Sequence, residues 1–397
     1  MNENWEYRRI GDICTVERGG SPRPIDSFIT DSDDGINWIK IGDADDTMYI
    51  TKTAQKIKPE GIKKSRYVRP GDFLLSNSMS FGKPYILKIS GCIHDGWLVL
   101  RDEECLFDKR FLYFYLSSPS TYNQFKTMAV GGVVNNLNSE MVRNVEIPIP
   151  NMEEQLEIVK ILEKLQSLIV ARKQQLQKFD DLIKARFVEL FGDPSINPMK
   201  WDKVNISEVI NGKVSNGYFT KRDDYSDDGN VSVMGVAYIV NRMYSQWIDL
   251  PKTNATQKDI EKFSVKYGDM LFCRSSLVAE GIGKASIVPE DVPENTLFEC
   301  HVIRIPLNLD KCVPEYVQVL STMDFFRQQI IAQSKTATMT TIGQDGILKS
   351  DILLPPLDKQ KEFYVFIKQI NKSKLAVQQS LDKTQELFDS LMQKYFG

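Results

Sequence analysis

The chain has 397 residues, with 50 Lys and Arg against 53 Asp and Glu, a formal net charge of −3, 42% hydrophobic and 26% charged residues. This composition supports a packed core divided among two or three domains, excludes wholesale disorder and provides no bulk basic surface, so any contact with a polyanion has to be local or shared with a partner. Only two histidines, His94 and His301, are present, which excludes most zinc sites and histidine-based triads. Cys14, Cys92, Cys105, Cys273, Cys300 and Cys312 have no C-x-x-C spacing and read as reduced thiols. No stretch approaches the roughly 18 uncharged residues of a membrane span, and the start MNENWEYRRI lacks the apolar core of a signal peptide. A cytoplasmic protein without a membrane partner is expected.

In chain order, residues 1–150 read as a mixed α/β region. Short β-prone runs at 38–41, 72–75 and 97–100 are separated by Gly, Asp, Asn and Ser turns, and a helix is expected over 108–117. His94 is expected in a turn and Trp97 in the core. After the proline-rich IPIPN, residues 151–192 show an unbroken seam of four- and three-residue spacings through Ile158, Leu162, Leu165, Ile169, Arg172, Leu176, Phe179, Ile183, Arg186 and Leu190. Residues 193–356 return to the α/β pattern, with a strand at 301–305 and a helix at 313–332. A second helix over 357–397 carries the seam Phe363, Ile367, Ile370, Lys374, Val377, Leu381, Thr384, Phe388, Leu391 and Tyr395.

The two halves are copies. Residues 147–192 align without a gap on 352–397 at a constant offset of 205, with Gln155 on Gln360, Leu176 on Leu381, Leu182 on Leu387 and Phe191-Gly192 on Phe396-Gly397. Upstream, residues 5–13 match 201–209, and Gly71-Asp72-Phe73-Leu74 matches Gly268-Asp269-Met270-Leu271. Polar residues enter the two seams at different places, which favours pairing of one helix with the other over self-pairing; as a helix, each seam would be a rod of order 57 Å. An ordinary bundle helix is the alternative. The fold expected is two α/β (mixed α+β) domains, 1–150 and 193–356, joined by two long helices in an antiparallel coiled coil with an internal pseudo-twofold.

This arrangement resembles the DNA-specificity subunit of type I restriction-modification systems. The resemblance is carried by IPIPNMEEQ and LLPPLDKQ, by the G-D-Φ-L turn of each half, and by the loops 131–138 and 337–343. It implies two target-recognition domains, each reading one half of an interrupted double-stranded DNA site. The paired helices would measure the gap and dock two methyltransferase subunits that use S-adenosylmethionine. Restriction subunits using ATP and Mg2+ would join them in phage defence. Lys359 stands where the first copy has Glu154, so the two docking surfaces need not be equivalent. The chain itself shows no amino-methyltransfer motif, no F-x-G-x-G loop and no phosphate loop at 281–285, which fits a non-catalytic chain without cofactor or metal. An interaction scaffold of the same architecture that does not read DNA is the alternative function.

The residues expected at DNA follow from their chemistry. In the glycine-rich loop 18–24, Arg18 and Arg23 can take a guanine bidentately, and Gly20 and Ser21 permit close approach; a surface turn is the bland reading. Residues 52–88 hold nine Lys and Arg against Glu60 and Asp72, so Lys63, Lys64 and Arg66 suit phosphates, with a solvated lysine face as the alternative. Asn77, Ser78, Ser80 and Lys83 form a polar loop, and Asn135 and Asn136 a second one. In the other half the expected residues are Lys213, Asn216, Tyr218, Lys221, Arg222, Arg274, Ser275, Ser276, Thr338 and Thr340. That half is less basic, with 17 Lys and Arg against 21 Asp and Glu over 193–356.

Overall fold

A computed structural model describes residues 5–77, 82–129 and 136–397. The chain divides into two compact units, one formed by Met1–Lys173 with Gln379–Gly397 and the other by Gln174–Gln378.

In the first unit, strand Glu6–Arg9 pairs with Glu146–Ile149, closing the two ends of the α/β region on each other. Above this pair stands a five-stranded sheet in the order Thr15–Arg18, Trp97–Arg101, Phe73–Ser76, Pro84–Leu87, Tyr49–Ile50. The order of a second five-stranded sheet is Ile29–Thr30, Gln55–Ile57, Ile36–Ile39, Gly91–Ile93, Arg66–Val68. The sequence GDFL builds the hairpin that feeds the first sheet: Gly71 adopts a φ of +91°, open to glycine without steric cost, and the Asp72 carboxylate accepts from the Arg69 N–H at 3.0 Å. GDML repeats this in the second unit, with Gly268 at +89° and Asp269 accepting from the Lys266 N–H at 3.0 Å.

The second unit has the same plan. Asp202–Asn205 pairs with Asp351–Leu354, and a four-stranded sheet runs Ser215–Asn216, Val302–Pro306, Asp269–Cys273, Ala285–Ile287. Val231–Met234 lies parallel to Thr296–Phe298, as Ile36–Ile39 does to Gly91–Ile93. Each unit adds helices, Lys109–Leu116 and Pro119–Ala129 in the first, Pro314–Thr322 and Asp324–Gln333 in the second. The single helix expected over 313–332 is therefore two, because Met323 has extended backbone (ψ 152°) and breaks the run.

The long helices are Met152–Phe191 and Leu357–Phe396, 40 residues each. Every seam position named above is buried or half-buried. In the first unit Ile158, Val159 and Leu162 share a core with Met392 and Phe396; in the second, Ile183, Phe187 and Phe191 share one with Phe363, Ile367 and Ile370. In each unit the start of one long helix thus packs with the end of the other, the antiparallel sense expected. A repeated glutamine locks each helix start to its domain. Gln155, wholly buried, accepts from the Asp108 N–H at 2.8 Å and donates to the Leu106 and Pro150 carbonyls at 2.9 Å each. Gln360, equally buried, accepts from the Val313 N–H at 2.9 Å and donates to the Pro355 carbonyl at 2.8 Å.

Candidate nucleic-acid interface

In the first unit three connections leave the same edge of the first five-stranded sheet, and one residue gathers them. Asp95, in the turn before Trp97, accepts at its main-chain oxygen from Arg18 Nε at 3.0 Å and Asn77 Nδ2 at 2.9 Å. Its carboxylate accepts from the Ser21 hydroxyl at 2.9 Å and pairs with His94 at the same distance. Partial burial opposes its ionisation, but Ser21, His94 and Arg18 outweigh that and hold its carboxyl below the ordinary carboxylate range. Gly19 donates to the Trp97 carbonyl at 2.9 Å and Gly20 to Ile93 at 3.1 Å. A Cβ on Gly19 would stand 2.2 Å from the His94 carbonyl oxygen, so the close approach expected of this loop is to its own neighbour.

The second unit builds the corresponding edge with other side chains. Gly217 donates to the Val302 carbonyl at 3.1 Å and Tyr218 to Phe298 at 2.7 Å, matching Gly19 and Gly20. Arg274 takes the place of Asn77: its N–H donates to His301 as Asn77 donates to Gly96, its carbonyl accepts from Ile342 as that of Asn77 accepts from Leu137, and its Nη1 donates to the Cys300 carbonyl at 3.2 Å. Ser275 and Ser276 pair with Thr341 and Thr340 of the hairpin that carries Thr338 at its tip. His301 Nδ1 lies 3.2 Å from the Ser275 hydroxyl.

The edges therefore bring together most of the residues expected at DNA. Arg18, Gly20, Ser21 and Arg23 share one loop, and Lys63, Lys64 and Arg66 flank it, since Ser65 donates to the Ile93 carbonyl at 3.2 Å. Arg23, Lys63 and Lys64 are exposed, while Arg66 pairs with Glu17 at 3.2 Å. Asn136 is exposed; Ser78, Ser80 and Asn135 lie outside the described residues. Asn77 and Thr340 are 2% and 3% exposed with their side chains engaged internally, so they shape the edge from within. Lys83 is exposed but faces a cavity beside the sheet.

In the second unit, Asn216 accepts from Gln344 at 3.1 Å, and Tyr218 donates to the Asn254 carbonyl at 3.1 Å. Lys221 and Arg222 are exposed at the start of a short turn closed by Asp224. Lys213 lies in the loop before the strand Ser215–Asn216, on the side away from Gly217 and Tyr218, and is not gathered with them. Leu277 and Val278, which sequence reasoning did not single out, stand on the same edge at 83% and 60% exposure, as does Phe219 of the run 216–222 at 69%, and only the tertiary fold distinguishes them from core. No group of three metal-ligating side chains and no helix apolar enough to cross a membrane occurs among the described residues.

The family profile described as type I restriction modification DNA specificity domain matches residues 2–178 and 198–386. The chain belongs to this family. It is 22% identical over 432 residues to the type I restriction enzyme EcoKI specificity subunit of Escherichia coli (strain K12), covering 100% of this chain and 89% of that relative. It is 20% identical over 383 residues to the type I restriction enzyme MjaVIII specificity subunit of Methanocaldococcus jannaschii, covering 93% and 86%. Among solved structures, the fold is shared with a type I restriction-modification S subunit from M. genitalium (TM-score 0.54, 13% identity, 100% and 97% covered). It is also shared with a chain from a study of complex assembly and conformational transition of the type I R-M system (TM-score 0.57, 16% identity, 100% and 98% covered).

Proposed function

We propose that the chain is the DNA-reading, non-catalytic subunit of a type I restriction-modification enzyme. Residues 1–150 and 193–356 each read one half of an interrupted duplex site. The helices within 151–192 and 357–397 set the gap and dock two methyltransferase subunits, through which restriction subunits join. The chain needs no cofactor of its own; S-adenosylmethionine belongs to the methyltransferase, ATP and Mg2+ to the restriction subunit, and the assembly works in the cytoplasm. One observation carries this reading: the same edge is built twice on equivalent main-chain hydrogen bonds, yet it presents Arg18, Ser21 and Arg23 in one half and Phe219, Arg274 and Leu277 in the other. A shared frame with different edge groups suits two readers of different sequence.

The test is to map N6-methyladenine genome-wide with and without the gene. Loss of methylation at one interrupted motif is expected; an unchanged map would sink the reading. At single residues, Arg23→Ala should relax selection at one base position by about 1–3 kcal/mol, whereas Lys63→Ala should weaken cognate and scrambled duplexes alike. Equal losses on both duplexes for Arg23→Ala would remove that arginine from base reading.

A further inference from the structure

Both units contain a cavity beside the sheet, at matching places in the repeat. In each, a lysine main-chain oxygen accepts from the preceding strand, Lys83 from Ser76 and Lys284 from Cys273. In each, a methionine carbonyl accepts from the following strand, Met48 from Ile86 and Met243 from Ile287. The glutamine clips fix the register of the neighbouring helices, so that Tyr113, Ser117 and Tyr122 of the first cavity correspond to Gln318, Thr322 and Arg327 of the second.

The chemistry of the two has diverged. The first cavity, about 580 Å3, is lined by Asp45, Asp46 and three tyrosines with Lys83 as its one cation. The second, about 530 Å3, is lined by Lys184, Arg242, Lys284, Arg327 and Lys374 against the single carboxylate of Asp180, over an apolar floor that includes Ile183, Met243 and Val319. Asp180 is taken up by Lys374 at 2.5 Å, and Lys284 rests on the neutral Asn241 amide at 2.6 Å. Arg327 donates through Nη2 to the Ile282 carbonyl at 2.8 Å, while its Nη1 is buried with no hydrogen-bond partner. Burial pushes this guanidinium below its ordinary value. A buried cationic nitrogen without a partner is costly, and the surplus of positive side chains around the cavity is what a bound anion would neutralise.

We propose that the cavity of the second repeat is a phosphate-binding site, in which Lys184, Arg242, Lys284 and Arg327 hold the anionic oxygens of a phosphate ester. The same chemistry has two sources, the backbone of a bound duplex or a free nucleotide. The site stands whether or not the neighbouring edge reads bases.

The full chain, free of DNA, is titrated by calorimetry at low salt with ATP and separately with tripolyphosphate. Saturable binding of both is expected, weakened about tenfold or more in a Lys184→Gln/Arg242→Gln variant; both side chains are exposed, so folding is retained, and Lys184→Gln alone should show a smaller loss. A free nucleotide is the source if ATP binds more tightly than tripolyphosphate and duplex DNA does not displace it. The duplex backbone is the source if DNA displaces ATP and the double variant shows a shallower dependence of DNA affinity on salt. No binding of either anion, or binding equal in wild type and variant, overturns the proposal. Because the titration needs no DNA, its failure is distinct from failure of sequence reading.

Discussion

Gln155 and Gln360 are short side chains that reach only main-chain atoms. Replacing Gln360 by Ala leaves the Val313 N–H and the Pro355 carbonyl buried without partners, each costing about 1–3 kcal/mol. Urea unfolding should therefore report a loss of that order for Gln360→Ala, and a stability equal to wild type would show that the clip contributes nothing. Glu315 behaves in the opposite sense. It is wholly buried and accepts from the Tyr244 hydroxyl at 2.8 Å; burial, with the nearby Glu290 charge adding to it, raises its carboxyl above the ordinary value of 4.5, while Tyr244 and Tyr267 act the other way. With the folded pKa above the unfolded one, the native state holds the proton longer. Stability is then undiminished below pH 4.5 and falls as pH rises from there through the folded pKa. Glu315→Gln should be more stable than wild type at neutral pH and should flatten this fall; identical Tm-against-pH curves would contradict it. Arg274 shows how a residue's role escapes sequence reading. Its place after the G-D turn marks it for base contact, but only the fold reveals that Nη1 is already given to a carbonyl.

At the scale of elements, the helices were the most legible part of the sequence. A strict four-three spacing can only be satisfied by one stripe of a helix, and the twenty seam residues are buried or half-buried. What the seam did not reveal is the second stripe by which the helices also pack on the globular domains, Val159, Met392 and Phe396 in the first unit and Phe187 and Phe191 in the second. Phe187, 1% exposed, meets Phe191, Tyr316 and Phe363 at ring separations of 5.0, 5.3 and 5.5 Å. Phe187→Ala is expected to cost about 3–5 kcal/mol, read as a lowered urea midpoint; a loss below about 1 kcal/mol would mean that the site collapses to fill the void. The edge loops were legible as polar and glycine-rich but not as assembled, since their hydrogen bonds join residues up to 128 positions apart. The cavities left no trace in the sequence, because the lining of the first comes from three separate segments and that of the second from five.

For the whole molecule, the repeat predicts independence of function. Replacing residues 193–356 by the corresponding region of a relative should change only one half of the methylated motif, as read by single-molecule methylation mapping. A change in both halves would show that the units do not read separately. The glutamine clips extend this into history. Since Gln155 and Gln360 hold main-chain atoms, this part of the joint between helix and domain is indifferent to the side chains on the domain's side. A gene segment arriving by recombination thus needs the right backbone at the clip and an apolar seat for the helix-end phenylalanines, and the lineage can acquire a new target without first repairing the scaffold that displays it.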